Sequence, residues 1–123
     1  MEESPFKGRT GFKRLAGAIA YSLQGFASAF KHEEAFRQEV LLAALLIPLA
    51  FWLDVAALAR AIMIASVLLV LVVELLNSAV EAAVDRISLD NHRLSKRAKD
   101  IGSAAVLLSI VNVAVVWGLA LSA

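Results

Sequence analysis

The sequence predicts an all-α membrane protein in which three transmembrane helices follow one amphipathic helix at the membrane interface. Hydrophobic residues make up 60% of the 123 residues, more than in an ordinary soluble domain of that length. Long apolar segments recur along the chain. Basic residues cluster in two places: six of the twelve Lys and Arg precede Val40, and five lie from Arg86 to Lys99. The length allows one domain at most, which we assign to residues 1–123.

The amphipathic helix is predicted at about residues 6–31, because apolar side chains recur there at helical spacing on a single stripe. This stripe comprises Phe12, Leu15, Ala16, Ile19, Leu23, Phe26 and Phe30. Basic residues flank it, which is typical of a helix that lies in the membrane interface. A simple anchor is the alternative interpretation. The opposite face carries Gly17 and Gly25, which are costly in an exposed helix and indicate that another group approaches that face closely.

Three spans are predicted after this helix, at about residues 34–53, 61–84 and 101–123. The third carries no charge and is long enough to cross a hydrocarbon core of about 30 Å. The first contains a shorter apolar run, Val40–Leu53. It reaches spanning length only if the polar approach Glu34–Glu39 belongs to the same helix. Pro48 lies in this run, and a membrane helix tolerates proline.

The basic residues set the predicted orientation. If the N-terminus and the predicted loop Asp85–Asp100 are cytoplasmic, eleven of the twelve Lys and Arg lie on that side. Only Arg60 then lies outside, in a short turn, and the C-terminus also ends outside. The charge is nearly balanced, with 12 basic against 11 acidic residues, so nothing indicates a nucleic-acid partner. The absence of cysteine excludes disulfides and thiolate metal sites.

Polar and acidic residues recur on one face of the second span: Glu74, Asn77, Ser78, Glu81 and Asp85. Glu74 follows Arg60 by 14 residues, which places it about 21 Å into the bilayer at 1.5 Å per residue. An ionisable residue at such depth costs about 2.5–3.5 kcal/mol even on a lenient scale, and it predicts a functional site. A glutamate bonded to a neighbouring helix is the structural alternative.

Small residues lie near this polar face on two spans: Ala79, Ala82 and Ala83 on the second, and Ser103, Ala104 and Ala105, just past Gly102, on the third. Because small residues let membrane helices approach closely, we expect neighbouring helices to enclose the polar face. With only three spans, that enclosure is expected to require an oligomer. Ser109 and Asn112, deeper in the third span, are expected to form hydrogen bonds between helices.

Charged residues also precede the first and third spans: Glu33, Glu34, Arg37 and Glu39, and Arg93, Lys96, Arg97, Lys99 and Asp100. Carboxylates suit Mg²⁺, which takes one or two of them together with phosphate oxygens. Lysine and arginine suit the phosphates themselves. The combination predicts phosphoryl transfer, a chemistry of positioning and charge neutralisation. The sequence contains neither a P-loop nor a dinucleotide-binding glycine motif, so any ATP site is of another kind.

Several stretches closely resemble the bacterial integral-membrane diacylglycerol kinases: Glu34–Glu39, Val73–Arg86 and Lys96–Ala105, together with Gly11–Arg14 and Trp52–Asp54. The middle stretch is the most diagnostic, and the resemblance covers nearly the whole chain. The segment Ile87–Arg97 is more similar to the Gram-negative branch than to the related Gram-positive undecaprenol kinases. Position 34 is glutamate where a small residue is expected from the family, which alters the charge beside Glu33.

The resemblance implies a homotrimer in the bacterial inner membrane, with its C-terminus in the periplasm. It implies transfer of the γ-phosphoryl group of ATP to diacylglycerol, with Mg²⁺ as cofactor. Glu74 is similar to the general base of the family and Asn77 to its polar neighbour, and Glu33 and Glu81 to the carboxylates that hold metal with the nucleotide. The implied nucleotide contacts are Arg14, Tyr21, Asp90, Asn91, His92, Lys99 and Asp100. The implied lipid contacts are Arg14, Glu74 and Ser103.

Two other functions remain open at this point. An undecaprenol kinase would perform the same chemistry on another long-chain lipid alcohol, and no single residue distinguishes the two acceptors. A small proton-coupled multidrug antiporter has a similar length and an intramembrane glutamate. Such antiporters usually have four spans and need no acidic cluster at the cytoplasmic surface. Incorporation of phosphate from ATP into lipid separates the kinases from the antiporter.

Overall fold

The computed structural model describes residues 10–87 and 92–123. Within these residues the chain forms four α-helices: α1 (Gly11–His32), α2 (Glu34–Trp52), α3 (Ala57–Ile87) and α4 (Arg93–Ser122). The predicted all-α class is therefore confirmed for this part of the chain. By length and composition, α2, α3 and α4 are each able to cross a membrane. Asp90 and Asn91, expected to contact nucleotide, lie outside the described residues.

The helix boundaries agree with the sequence prediction for α2 and differ for the other helices. Within the described residues, α1 begins at Gly11, after Thr10 with an extended backbone of φ −132° and ψ 160°. Residues 6–9 of the predicted helix lie outside the described residues. α3 and α4 both continue beyond their apolar segments. The segment Asp85–Asp100, expected to be a loop, is helical up to Ile87 and again from Arg93. That expectation was wrong, and most of the basic residues in this segment project from a helix.

A single extended residue, Glu33, separates α1 from α2, with φ −113° and ψ 106°. Its N–H donates to the carbonyl of Ala29 at 2.8 Å, and its own carbonyl accepts from the N–H of Arg37 at 3.2 Å. The Nη1 atom of Arg37 also donates to the carbonyls of Phe30 and Lys31, at 2.8 and 3.1 Å. Carbonyls in the last turn of a helix lack partners within the helix. Arg37 therefore ties the end of α1 to the first turn of α2.

Arg60 holds the α2–α3 turn in a similar way. Its Nε donates to the carbonyl of Ala50 at 2.9 Å. Its Nη2 donates to the carbonyls of Leu53 and Val55, at 3.0 and 3.3 Å. The one basic residue that lies outside the two clusters thus satisfies carbonyls at the end of α2.

α3 is the central helix: α4 packs most extensively along it and α2 also packs on it, whereas α1 contacts chiefly α2. The hydrophobic core lies in the half of the bundle next to the α2–α3 turn and consists of Ala43, Ala50, Met63, Val67 and Trp117. Met63 is fully buried. The indole Nε1 of Trp117 donates to the carbonyl of Met63 at 3.2 Å, which joins α4 to α3. Small side chains on α2 allow its backbone to lie close to α3.

Serine hydroxyls in the spans bond within their own helices. Ser109 Oγ donates to the carbonyl of Val106 at 2.7 Å, and Ser66 Oγ donates to that of Met63 at 2.6 Å. The expected bond from Ser109 to a neighbouring helix was therefore wrong. A hydroxyl can satisfy itself on the preceding turn, and a lipid-exposed or tightly packed helix needs no outside partner for it. The bond expected for Asn112 stays a prediction.

Candidate active site

The polar face of α3 is partly enclosed by the single chain. Glu74 is 4% exposed and Asn77 8% exposed. Ser78 and Glu81 are half-buried, and Asp85 is exposed. We expected burial of this face to require an oligomer, and for Glu74 and Asn77 that expectation was wrong: neighbouring helices of the same chain cover both.

Asn77 links α3 to α4. Its Nδ2 donates to Glu81 Oε1 one turn further along α3, at 3.1 Å. Its Oδ1 is buried and has no hydrogen-bond partner among the described residues. Gly102 of α4 lies directly against this amide, and a methyl group there would collide with Oδ1. The close approach of α3 and α4 thus occurs at Gly102. Ser103, Ala104 and Ala105, the small residues expected to allow it on the third span, are exposed in this chain, and Ser103 is also the expected lipid contact.

Four carboxylates from three places in the chain surround the polar face. Glu74 is within electrostatic reach of Glu33, between α1 and α2, of Glu39 on α2, and of Glu81 on α3. Glu39 Oε2 is buried and has no hydrogen-bond partner among the described residues. The sequence placed Glu39 in the charged cluster before the first span but gave it no individual role. Its position at the start of an apolar run was the signal that marks it as an acidic group carried into the bundle.

The described residues do not form a ready-made metal cage. Among them, no three histidine or acidic side chains converge closely enough to hold a metal ion. Mg²⁺ typically uses one or two protein carboxylates and takes its remaining ligands from substrate phosphates and water. Glu33 and Glu81 suit that pattern because both are hard oxygen donors near Glu74. Glu34, whose charge we expected to alter the surroundings of Glu33, is exposed.

A cleft of about 620 Å³ lies between the second half of α1 and the polar half of α3. Glu33 stands in its wall, and its other lining residues include Gly25, Phe26, Leu75, Ser78 and Ala79. A methyl group at Gly25 would meet no atom within 4 Å, so the cleft is open at that point. Mostly apolar walls with a few polar groups are typical of a site for a ligand with an apolar body and a polar end.

Basic and acidic side chains pair at the end of α3 and the start of α4. Lys99 Nζ lies 2.6 Å from Asp85 Oδ1, which joins the two helices. Lys96 Nζ lies 2.7 Å from Asp100 Oδ2 on the same helix. His92 is the N-cap of α4, and its Nδ1 accepts a hydrogen bond from the N–H of Leu94 at 3.1 Å. Among the described residues, the expected nucleotide contacts of this region, His92, Lys99 and Asp100, thus each have a partner within the chain.

The remaining expected contacts, Arg14 and Tyr21, lie on α1. Arg14 precedes Glu33 by 19 residues, which corresponds to about 28 Å along a helix. Arg14 is exposed, and Tyr21 is 46% exposed. Glu33 and Glu81 thus lie within electrostatic reach of Glu74, whereas Arg14 is separated from Glu33 by most of the length of α1.

Comparison with known proteins identifies close relatives. The family model described as prokaryotic diacylglycerol kinase matches residues 20–121. A diacylglycerol kinase of Pseudomonas aeruginosa is 59% identical over 117 residues, which cover 95% of both chains. The diacylglycerol kinase of Haemophilus influenzae is 54% identical over 109 residues, covering 89% of this chain and 92% of the relative. That of Escherichia coli K12 is 51% identical over 108 residues, or 88% of each chain.

Proposed function

The chain belongs to the prokaryotic diacylglycerol kinase family, and on that basis we propose that it transfers the γ-phosphoryl group of ATP to diacylglycerol, forming phosphatidic acid. The observation that best supports this within the fold is the position of Glu74. It is a buried carboxylate on the helix that forms one wall of an amphiphile-sized cleft, close to two further carboxylates. An acyl-glycerol and a metal-bound phosphate can meet there.

The lipid substrate occupies the cleft between α1 and α3. Phe26 and Leu75 provide apolar walls for the acyl chains, while Gly25 and Ala79 leave room for the glycerol. Ser78 supplies a hydroxyl in the same wall. The free hydroxyl of the lipid then points toward Glu74, one turn earlier on α3.

Glu74 acts as the general base. Its carboxylate takes the proton of the lipid hydroxyl as that oxygen attacks the γ-phosphorus and the bond to the departing ADP oxygen breaks. An alcohol has a pKa far above 7, so the base helps only late in the transfer. Most of the rate comes from aligning the two substrates and neutralising the phosphate charge.

Glu33 and Glu81 hold Mg²⁺ together with the phosphates of ATP. Their carboxylate oxygens fit that ion, and the bond from Asn77 to Glu81 orients one of the two. When bound, Mg²⁺ would neutralise negative charge on the phosphates while the γ-phosphoryl group is transferred to the acceptor.

The nucleotide lies toward the start of α4. Lys99 and Asp100 exchange their present partners, Asp85 and Lys96, for the nucleotide. His92 contributes a further contact, together with Asp90 and Asn91, which lie outside the described residues. Arg14 and Tyr21 contribute from α1. Because Arg14 is about 28 Å from Glu33 along α1, we propose a homotrimer in which Arg14 reaches a nucleotide bound mainly by another subunit.

The protein lies in the bacterial inner membrane with its N-terminus in the cytoplasm and its C-terminus in the periplasm, since the basic residues cluster on one side. α1 lies in the interface. Its apolar stripe is exposed in this chain, with Phe12 90% and Leu23 62% exposed, as suits contact with lipid. A tag at the C-terminus should be accessible from the periplasm and one at the N-terminus only from the cytoplasm. Both tags on one side would overturn the orientation.

A radiolabelled-ATP assay on purified protein in vesicles tests the proposed activity. We expect Mg²⁺-dependent labelling of diacylglycerol and little labelling of undecaprenol. Preferential labelling of undecaprenol would assign the other acceptor, and no labelled lipid at all would overturn the kinase proposal.

The metal assignment is tested by titrating Mg²⁺ in the Glu33→Gln and Glu81→Gln variants. Each should need more Mg²⁺ for half-maximal rate while the KM for lipid changes little. Glu34→Gln is the matched control, because Glu34 adjoins Glu33 but is exposed, and it should titrate like the unmodified protein. An unchanged titration in both test variants would remove the metal from these carboxylates.

A further inference from the structure

At Gly102, α4 lies directly against the side chain of Asn77 on the polar face of α3. A methyl group there would overlap Oδ1 of Asn77, with Asn77 Cγ 3.2 Å and Cβ 3.9 Å away. Gly118 lies on the same helix, and a methyl group at that position would meet no atom within 4 Å. Glycine is less favourable than alanine inside a helix. At position 102 the neighbouring amide gives a physical reason for glycine, whereas the surroundings of Gly118 give none.

The amide of Asn77 is held from two sides. Its Nδ2 donates to Glu81 Oε1 at 3.1 Å, and its Oδ1 is buried against α4 without a hydrogen-bond partner among the described residues. The bond at Nδ2 is therefore the only hydrogen bond among the described residues that orients the amide, and no bond orients it at Oδ1. The backbone of α4 at Gly102 limits that rotation by contact alone.

A side chain at position 102 would displace the amide without moving α3. The distance of 3.9 Å to Asn77 Cβ is an ordinary contact, so the backbone of α3 can stay in place. Oδ1 is too close and must rotate away, and Cγ must shift by a few tenths of an ångström. Because Nδ2 moves with them, the bond from Asn77 to Glu81 is lost while the helices remain packed.

We propose that Gly102 is a positioning residue for phosphoryl transfer. Its lack of a side chain leaves room for the orientation of the Asn77 amide in which Nδ2 bonds to Glu81. The inference rests on the proposed function, in which Glu81 holds Mg²⁺ with the nucleotide. The proposed contact also links the two helices that carry the site, because Lys99 and Asp100, the expected nucleotide contacts on α4, lie within one turn of Gly102.

The test compares Gly102→Ala with Gly118→Ala. A hydrogen bond to a charged group is a strong one, and its loss at Glu81 should lower kcat/KM for Mg²⁺–ATP about tenfold or more, which equals about 1.4 kcal/mol. The KM for lipid should change less than about twofold, and the Tm should stay near that of the unmodified protein. The side-chain amide resonances of Asn77 in nuclear magnetic resonance spectra should shift. Gly118→Ala should change none of these quantities.

The possible outcomes separate the inference from the proposed function. If the unmodified protein labels no lipid, the proposed function fails, while the Asn77 resonances still report on the contact. If Gly102→Ala has the kinetics of Gly118→Ala, or loses activity without shifting the Asn77 resonances, the positioning role is overturned. If Gly102→Ala fails to fold, the double variant with Asn77→Ala decides, because removing the amide makes room for the methyl group. Failure of that double variant to fold would show that the methyl group collides with something else, and the inference would be wrong.

Discussion

The two halves of α3 differ in how their polar groups are satisfied. Near the α2–α3 turn, Arg60 donates to three carbonyls and Trp117 donates to the carbonyl of fully buried Met63. At the other half, Asn77 on α3 and Glu39 on the neighbouring α2 each have a buried oxygen with no partner among the described residues, and the adjoining cleft is open. The same helix thus forms part of a closed scaffold at one end and of an incompletely satisfied site at the other.

The difference has a physical meaning. A buried polar group without a partner destabilises the fold, and like-charged carboxylates around Glu74 repel one another. Such an arrangement persists only when the rest of the fold is stable enough to impose it. The half of the bundle that contains Met63 and Trp117 provides that stability. Substitutions in the two halves should therefore affect different quantities: turnover in the polar half and stability in the packed half.

The largest effect is expected for Glu74→Gln. The substitution keeps the shape of the side chain and removes the proton acceptor, so turnover should fall by about 10²–10⁴-fold with little change in ATP affinity. Thermal stability should stay the same or rise, because a charge at this depth is costly. Steady-state kinetics and thermal unfolding in the same detergent measure both effects. Near-normal turnover would make Glu74 structural and would remove the functional contrast between the two halves.

How far the sequence could predict this contrast depends on the kind of interaction. Helical spacing is a local property, so it placed Glu74, Asn77 and Glu81 on one face before any packing was known. Apolar length likewise predicted three helices able to span. The start of α4 at Arg93 was missed, because its first turns are charged and resemble a loop in composition.

Local sequence patterns could not predict the contacts between helices. Whether Arg60 reaches the end of α2, or Arg37 the end of α1, depends on the geometry of each turn. The approach of Gly102 to Asn77 depends on the axial register of α3 against α4. Small residues on both helices predicted close packing in general, but no sequence period specifies which of them meets the polar face.

Met63→Ala should produce a large loss of stability in the packed half. Truncating a buried methionine costs about 2–5 kcal/mol in cores, and we expect the lower end here because lipid and protein interior are similarly apolar. The free energy of unfolding by denaturant measures the loss, and turnover per folded molecule should stay near normal. Ile62→Ala is the control, since Ile62 is 48% exposed. Equal losses in the two variants would contradict the location of the core.

Arg60→Gln should give a smaller loss in the same half. Glutamine is too short to bridge the carbonyls of Ala50, Leu53 and Val55. Hydrogen bonds to a charged group contribute about 1.5–3 kcal/mol, and we expect the lower end here because Arg60 is only half-buried and water can replace part of these bonds. Part of the loss should be recovered by Arg60→Lys, whose ammonium can reach fewer of these carbonyls. Unfolding measurements and hydrogen exchange at the α2–α3 turn report the effect. Unchanged exchange in Arg60→Gln would show that the turn does not depend on this side chain.

The smallest effect on stability is expected for the ion pair at the open end of the bundle. Lys99 and Asp85 are 43% and 46% exposed as side chains, and solvent screens ion pairs of that kind, so they contribute little to stability. Asp85→Asn should therefore leave the free energy of unfolding nearly unchanged, and added salt should reduce any difference further. If Lys99 must leave Asp85 to meet a phosphate, the same variant should lower the KM for ATP. Asp54→Asn is the matched control: Asp54 is also exposed, at the opposite end of the bundle, and its loss should leave the KM for ATP unchanged. A large loss of stability in Asp85→Asn, or a raised KM for ATP, would show that the ion pair stabilises the fold. The stabilising part of the bundle would then extend to the end of α3.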